Sequence, residues 1–279
     1  MIELSILLTC HNRKEKTLQC LRNLYSASLP LGLIMEVFLV DDGSSDGTGQ
    51  AIKLNFPDVN VIQGNGNLFW NQGMRLAWKN AAETKDYDFY LWLNDDTNLD
   101  KDALLNIFES YNFAKFIERN EVLICGACRT NLKNSEFSYG GRNEIGPLIP
   151  NGELQICKYI NGNVVLIPKV IFQSIGNLSN NYTHGMGDYD YGLRAAEKGF
   201  ICYTTKSYLA TCPSNVGISG WCNPEYTLKK RWTSLHSPLG LNIKEYIIFR
   251  KKFWRKKWIF FAFKAYLKML FPKLYKKLT

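Results

Sequence analysis

The feature that most narrows the folds open to this 279-residue chain is a repeat of pattern rather than of sequence. Over residues 1–127 a short β-branched or aromatic run is followed by a polar turn and then by a segment of helical period, several times over. Such alternation marks βαβ units and a mostly parallel, Rossmann-like sheet flanked by helices. Ile2–Thr9 reads as the first strand and Lys14–Ser28 as the first helix, with Leu18, Leu21, Leu24 and Tyr25 on one face. Glu36–Val40, Val59–Gln63, Phe89–Leu93 and Val122–Ala127 read as further strands, with helices near 70–82 and 100–119. Loops that leave the carboxyl ends of strands in an open parallel sheet line one edge, where ligands bind. The polar clusters at 9–13, 41–48, 64–67 and 94–97 all sit at such ends, so they are expected to meet in one crevice.

Beyond residue 128 the pattern becomes mixed. A hairpin is expected around Ser138–Pro150, a strand over Val164–Ile167, and a helix opening near Asp188 and stopping at Gly199, a residue suited to a helix C-terminus. Residues 211–224, rich in Ser, Gly, Asn and Pro around Trp221, read as a mobile loop. The net charge of +9 is confined to the end: residues 244–279 hold 12 Lys/Arg and one acid, Glu245, which leaves 22 basic and 24 acidic residues in 1–243. The tail mixes those cations with rings, as a helix lying in an anionic membrane interface does; a terminal helix packed on the body is the other reading. The end, with Pro272 and Lys-Leu-Tyr-Lys-Lys, reads as solvated. Eight scattered cysteines in a chain this long fit a reducing compartment, and an acid at position 3 with a broken apolar run argues against an export signal. Without an apolar stretch approaching ~20 residues, the chain is expected to be cytoplasmic and peripheral rather than membrane-spanning.

Three acidic clusters carry the chemistry. Asp41-Asp42 ends a buried-looking strand ahead of a Gly-Ser-Ser-Asp-Gly turn, so its carboxylates could accept bonds from a base or ribose, or could simply build the turn. Asn94-Asp95-Asp96 ends another strand; adjacent acids repel unless a cation intervenes, and hard oxygen ligands suit Mg²⁺ or Mn²⁺ shared with phosphates. The competing reading is a helix cap, for which Thr97, Asn98 and Asp100 are better placed. Asp188 and Asp190 open a helix, where an ionised carboxylate is stabilised and could serve as a general base. Cys125 and Cys128 have thiol spacing without a second pair and read as a buried strand rather than a zinc site.

In order and spacing these clusters (VDDGSSDGT at 40–48, NDD at 94–96, GDYDYGLR at 187–194) resemble glycosyltransferase family 2, over about residues 1–215. The resemblance implies a GT-A fold in 1–243, with a nucleotide-sugar half (1–127), a mixed acceptor half (128–243), and the helical basic tail 244–279 outside it. It implies an inverting transferase that moves a sugar from a nucleotide-diphosphate donor to the hydroxyl of a saccharide or lipid-linked saccharide, with a divalent metal, as in bacterial lipopolysaccharide or capsule synthesis. Ser5–Arg13 resembles the opening strand and base-binding loop, which assigns Thr9, Asn12 and Arg13 to the nucleotide along with Asp41 and Asp42. Gly64–Ala77 resembles the segment along the donor diphosphate, which brings in Gly64, Trp70 and Arg75. Asn94 stands where the family has the first Asp of Asp-x-Asp, so Asp96 is expected to hold the metal, with Asp95 beside it. Asp188 matches the inverting base, which the family usually precedes with Glu where this chain has Gly187. His184 and Asp190 are assigned to the acceptor side or to support behind it. His11 reads as a loop residue near the nucleotide, and His236, with Lys229, Lys230 and Arg231, lies in a region that could fold over phosphates.

Two alternatives stand beside this. A sugar nucleotidyltransferase would want a Gly-rich turn after the first strand, which Thr9-Cys10-His11-Asn12-Arg13 does not supply. A non-catalytic nucleotide- or nucleic-acid-binding protein with a degenerate transferase body could use the basic tail, but the near-neutral body has no extended basic groove and its acids would repel phosphates. No nucleic acid is expected as a partner.

Overall fold

The structure, a computed structural model, describes residues 1–133, 136–214 and 217–274. Its elements run β1 (Ile2–Cys10), α1 (Lys14–Ser26), β2 (Leu33–Asp41), α2 (Thr48–Asn55), β3 (Asn60–Gln63), α3 (Phe69–Thr84), β4 (Phe89–Leu93), β5 (Asn98–Leu99), α4 (Ala103–Glu118) and β6 (Val122–Arg129). They continue through β7 (Phe137–Tyr139), β8 (Gln155–Ile156), β9 (Val164–Pro168), α5 (Lys169–Ile175), α6 (Gly187–Glu197), β10 (Ile201–Thr211), α7 (Leu228–His236), α8 (Ile243–Trp254) and α9 (Trp258–Leu270).

Among the described residues the strands join one sheet, whose main path is β3-β2-β1-β4-β9-β6-β10-β5. β1 pairs in parallel with β2 and β4, β2 with β3, and β6 with β10; β9 runs antiparallel to both β4 and β6. The reversal of β9 matters for the site. Val164, where β9 begins, pairs with Leu93, where β4 ends, so the turn before β9 joins the same edge as the carboxyl ends of β1, β2 and β4.

Strand residues point alternately to the two faces, and each face is covered. Leu4, Ile6 and Leu8 of β1 pack with Leu18 and Leu21 of α1 and Ile107 and Phe108 of α4. Leu7 points the other way, into a core with Trp78 of α3, Ile171 of α5 and Tyr191 of α6. Trp78 and Trp92 are fully buried, their rings 5.6 Å apart. Burying each large side chain contributes roughly 1.5–3 kcal/mol, so these rings dominate that face.

Several local expectations change. The hairpin expected around 138–150 is short: Arg142 bridges Pro147 in antiparallel fashion, with Asn143 N–H bonding Gly146 O at 3.0 Å and Leu148 N–H bonding Gly141 O at 2.9 Å, while β7 ahead of it pairs with β6. Thr97, Asn98 and Asp100 do not cap α4, because Asn98 and Leu99 pair with β10, Asp100 binds Arg129 at 2.8 Å and Thr97 accepts from Asn163. Of the segment expected to be a loop at 211–224, residues 215–216 lie outside the described residues, and Trp221 packs beside Leu235, Ala265 and Met269. The tail is two helices, broken where Arg255 takes a positive φ of 45°. Pro272 is buried rather than solvated, and residues 275–279 of the expected solvated end lie outside the described residues. Cys125 and Cys128 are buried in β6, as the apolar run around them implies.

Candidate active site

The sheet edge opens into a cavity of about 620 Å³ whose walls come from every segment that the βαβ reading sends there. Thr9 and Cys10 end β1, and His11 and Arg13 follow it; Asp42 follows β2; Gly66 precedes α3, which Phe69 and Trp70 open; Asn94, Asp95 and Asp96 follow β4. Asn161, Gly162 and Asn163 precede β9, Cys212 follows β10, and His184 and Gly185 precede α6, whose first turn holds Asp188.

At the floor, Arg13 bridges the two acids, with Nη1 3.2 Å from Asp95 Oδ1 and 2.9 Å from Asp96 Oδ2. Asp95 is buried and also accepts from Thr17 at 3.4 Å. Burial pushes its carboxyl up to about 6, against the pull of the guanidinium. Asp96 is more open, and its Oδ1 has the Cys212 thiol at 3.7 Å. Asn94 is occupied differently: its Oδ1 accepts the Trp70 indole N–H at 2.6 Å. The amide thus fixes the ring that forms one wall, and Gly162 lets that ring approach, since a Cβ there would lie 2.2 Å from it.

Asp42 is fully engaged. Its oxygens accept from the backbone N–H groups of Gly66 (2.8 Å), Leu68 (2.8 Å) and Phe69 (2.9 Å), so it shapes the turn into α3. The cavity does not extend to Asn12, Asp41, Gly64, Arg75 or Asp190. Asn12 accepts from Ser45 N–H at 2.7 Å, and Asp41 faces a smaller pocket with Ser44, Gly49 and Gln63. Gly64 packs on Asp42, Arg75 reaches the Leu178 carbonyl at 3.5 Å, and Asp190 is buried beneath α6. His11 reaches the wall, with Nδ1 2.6 Å from the Asp42 carbonyl oxygen.

Asp188, which lines the same cavity, stands in the first turn of α6. Its Oδ2 accepts from Gly162 N–H at 3.1 Å and its Oδ1 from Tyr189 N–H at 2.8 Å. Although the side chain opens onto the cavity, surrounding protein desolvates it, and its carboxyl is pushed up to about 6 despite those two donors. Near it, His184 Nδ1 is buried and has no hydrogen-bond partner among the described residues, and desolvation holds this imidazole below its ordinary pKa. Asn12, Phe69 and Met186, all next to the cavity, take positive φ values of 51°, 54° and 70°. Such backbone is uncommon for these residues and gathers where structure is held for function.

The departure at Gly187 has a steric cause. A Cβ at this position would come within 1.8 Å of Asn71 Oδ1, because Asn71 ties α3 to the 179–182 segment by donating to the Ser179 and Tyr182 carbonyls at 2.9 and 2.6 Å.

The sequence profile described as Glycosyl transferase family 2 matches residues 5–176, most of the chain. The chain belongs to glycosyl transferase family 2. Its sheet is the GT-A arrangement expected from the motifs. Poly-beta-1,6-N-acetyl-D-glucosamine synthase from Staphylococcus epidermidis is 29% identical over 115 residues, which cover 39% of this chain and 25% of that protein. The match therefore spans about a quarter of the curated relative's length. Among solved structures, a mannosyltransferase from Pyrobaculum calidifontis in complex with GDP-Man and Mn²⁺ superposes with a TM-score of 0.54 over 94% of this chain and 73% of its own, at 12% identity. At that identity the likeness concerns fold.

The residues that sequence reasoning missed in this glycosyltransferase are Asn161, Gly162 and Asn163, with Tyr139, Phe69 and Cys212. A polar Gly-containing turn directly before the strand at 164 was a usable signal. Such a turn lies at the binding edge only where the strand after it runs antiparallel, as β9 does.

Proposed function

We propose that this family 2 glycosyltransferase transfers a sugar, with inversion, from a nucleotide-diphosphate donor to an acceptor hydroxyl, and that the acceptor is a growing saccharide or lipid-linked saccharide of a bacterial surface polysaccharide. The observation that carries the reading is that two acidic groups from different elements line one cavity: Asp95-Asp96 beside Arg13 at the end of β4, and the desolvated Asp188 in the first turn of α6. The polysaccharide synthase named above supports the acceptor class, and the mannosyltransferase solved in complex with GDP-Man supports the donor class.

A divalent metal fits the donor set in one way. Among the described residues no three His, Cys, Asp or Glu side chains converge on one point, so these residues form no closed cage. Mg²⁺ and Mn²⁺ at phosphates are held by one or two carboxylates with the rest from substrate and water, and Asp96, open to the cavity, is the residue that would hold one, with Asp95 behind it. Bound there, such a cation would supply charge neutralisation for the departing diphosphate. The chain's own residues do the rest. Arg13 sits where its charge can attend a phosphate once the acids are otherwise neutralised. Trp70, fixed by Asn94, forms a flat wall for the donor. Asp188, ionised, accepts the proton of the acceptor hydroxyl as it attacks the far face of the sugar.

The location rests on α9. Ile259, Phe260, Phe263, Leu267 and Leu270 are exposed, and at about 100° per residue they share an arc of about 100°. Ala262, Ala265 and Met269 on the other side are buried. An apolar stripe turned outward, with Lys264 beside it, on a tail that carries 12 Lys/Arg suits the headgroup region of an anionic membrane, so we place the enzyme on the cytoplasmic face. No described helix is long and apolar enough to cross a membrane.

The deciding experiment is thermal shift with UDP, GDP and dTDP, each with and without Mn²⁺, since a ligand that binds only the folded state raises its melting temperature. One nucleotide should stabilise the protein in a metal-dependent way, and its sugar conjugates then define the turnover assay. Indifference to all three with Mn²⁺ present would overturn the proposal.

A further inference from the structure

The C-terminal segment reaches the cleft from behind. Glu245 and Lys252 stand two turns apart on α8, and each grips one end of the segment that carries His184 and Asp188. Glu245 accepts from the Thr183 backbone N–H at 3.0 Å and from its hydroxyl at 2.5 Å. Lys252 Nζ donates to Asp190 Oδ2 at 2.6 Å. That carboxylate is fully buried and also accepts from Arg194 Nε at 2.6 Å and the Tyr182 hydroxyl at 3.0 Å. Between the two grips, buried Phe249 meets the Tyr182 ring edge-on, 6.2 Å between centroids.

From the other side the segment is held by α3 and the turn before β9: Asn71 donates to the Tyr182 carbonyl at 2.6 Å and Gly162 N–H to Asp188 at 3.1 Å. α6 opens from Met186 in left-handed backbone, and the Met186 side chain makes no capping hydrogen bond. Thr183 in turn orders the donor wall, since its carbonyl accepts the N–H of Asn71 at 3.0 Å, at the start of α3 next to Trp70. A carboxylate without solvent, such as Asp190, stays where its cations are, so Lys252 sets the height of the α6 first turn.

We propose that Glu245 and Lys252 are positioning residues for transfer: α8 belongs to the catalytic unit and holds His184 and Asp188 at the cavity wall. The inference rests on the role given to Asp188 above and extends it to a helix outside the region matched by the family profile.

The test uses the full chain with Glu245→Gln, Lys252→Met and Lys252→Arg, and with Lys244→Met as a control for loss of a tail charge on an exposed site. Two readouts are taken: steady-state kinetics, and backbone hydrogen exchange over 183–189. Lys252→Met and Glu245→Gln should lower kcat by about 10–100-fold with donor affinity held, as misplacement of about 1 Å does. Exchange at 183–189 should rise while β1 stays protected. Lys252→Arg, which keeps the cation, should recover most of kcat, and Lys244→Met should match the parent. Unchanged kcat in both variants, unchanged exchange at 183–189, or a rate loss that Lys252→Arg does not repair would each overturn the inference. A parent chain that turns over no nucleotide sugar would instead overturn the proposed function, and exchange reads the grip apart from that failure.

Discussion

The residue that states the chemistry most sharply is Asp188, because its environment and its proposed task agree. A base must be ionised to act, and its carboxyl is pushed up to about 6, so transfer should be lost as pH falls through about 6 and be level above it. Asp188→Asn keeps the shape and should cost about 10²–10⁴ in kcat with nucleotide binding intact, read by turnover beside thermal shift. The linkage sign is opposite to that of an ion-paired acid. With a folded value above the unfolded one, this group stabilises the fold least where it is ionised, so its contribution falls as pH rises from about 4 to about 6. Asp188→Asn should therefore melt higher than the parent at pH 7.5 and converge with it near pH 4; an equal difference at both pH values would contradict the assignment. The acids beside Arg13 divide in another way. Asp96→Ala should remove metal-dependent transfer while barely moving Tm, whereas Asp95→Ala, which strips a buried partner from Arg13 and Thr17, should lower Tm more. Melting curves of the two variants with and without Mn²⁺ distinguish these outcomes.

Between elements, the contact that decides geometry is α3 against α6. Gly187→Glu restores the residue that the family usually carries, yet Asn71 leaves no room for a Cβ, so the variant should be destabilised and slower. Gly187→Glu with Asn71→Gly should recover part of the rate, because the obstructing side chain is gone; failure of the pair to beat the single variant would show that the obstruction lies elsewhere. This scale also shows how far the sequence could be read. β1, β2 and β4 are buried on both faces and end in acidic or Asn-rich turns, so period and punctuation agreed and the Asp42, Asp95 and Asp96 edge was legible. β10 was not, since Lys206 and Ser207 interrupt its apolar run and its pairing with β6 shifts register there. Motif position alone does not orient a side chain: helical period turns Arg75 toward Leu178, while Asp190, buried beneath Tyr182 and Arg194, stands as support behind the first turn of α6. No local pattern states which way a strand runs, so the turn at 161–163 could be read only once β9 was seen antiparallel.

For the whole molecule, the tail divides into a helix that faces the body and one that faces outward, and this changes how membrane docking can be tested. Removing residues 244–279 would strip Lys252 from buried Asp190 and Glu245 from Thr183, so a truncated chain would fail for reasons unrelated to lipid. The clean probe is Phe260→Ser with Phe263→Ser, since both side chains are exposed on α9 and their loss leaves Ala262, Ala265 and Met269 packed. The stripe could also be covered by a second copy of the chain, but two such helices would bring together segments holding 12 Lys/Arg and one acid each, whereas an anionic surface takes the same charge favourably, at about 1 kcal/mol per cation near the lipid. The parent should sediment with vesicles containing phosphatidylglycerol and not with neutral phosphatidylcholine, and binding should weaken as salt screens the headgroups. The double variant should lose most of that partition while keeping its melting temperature and its turnover of a soluble acceptor. Equal partition of parent and variant would sink the membrane reading, and a concentration-dependent dimer abolished by the same two substitutions would hand the stripe to a second copy.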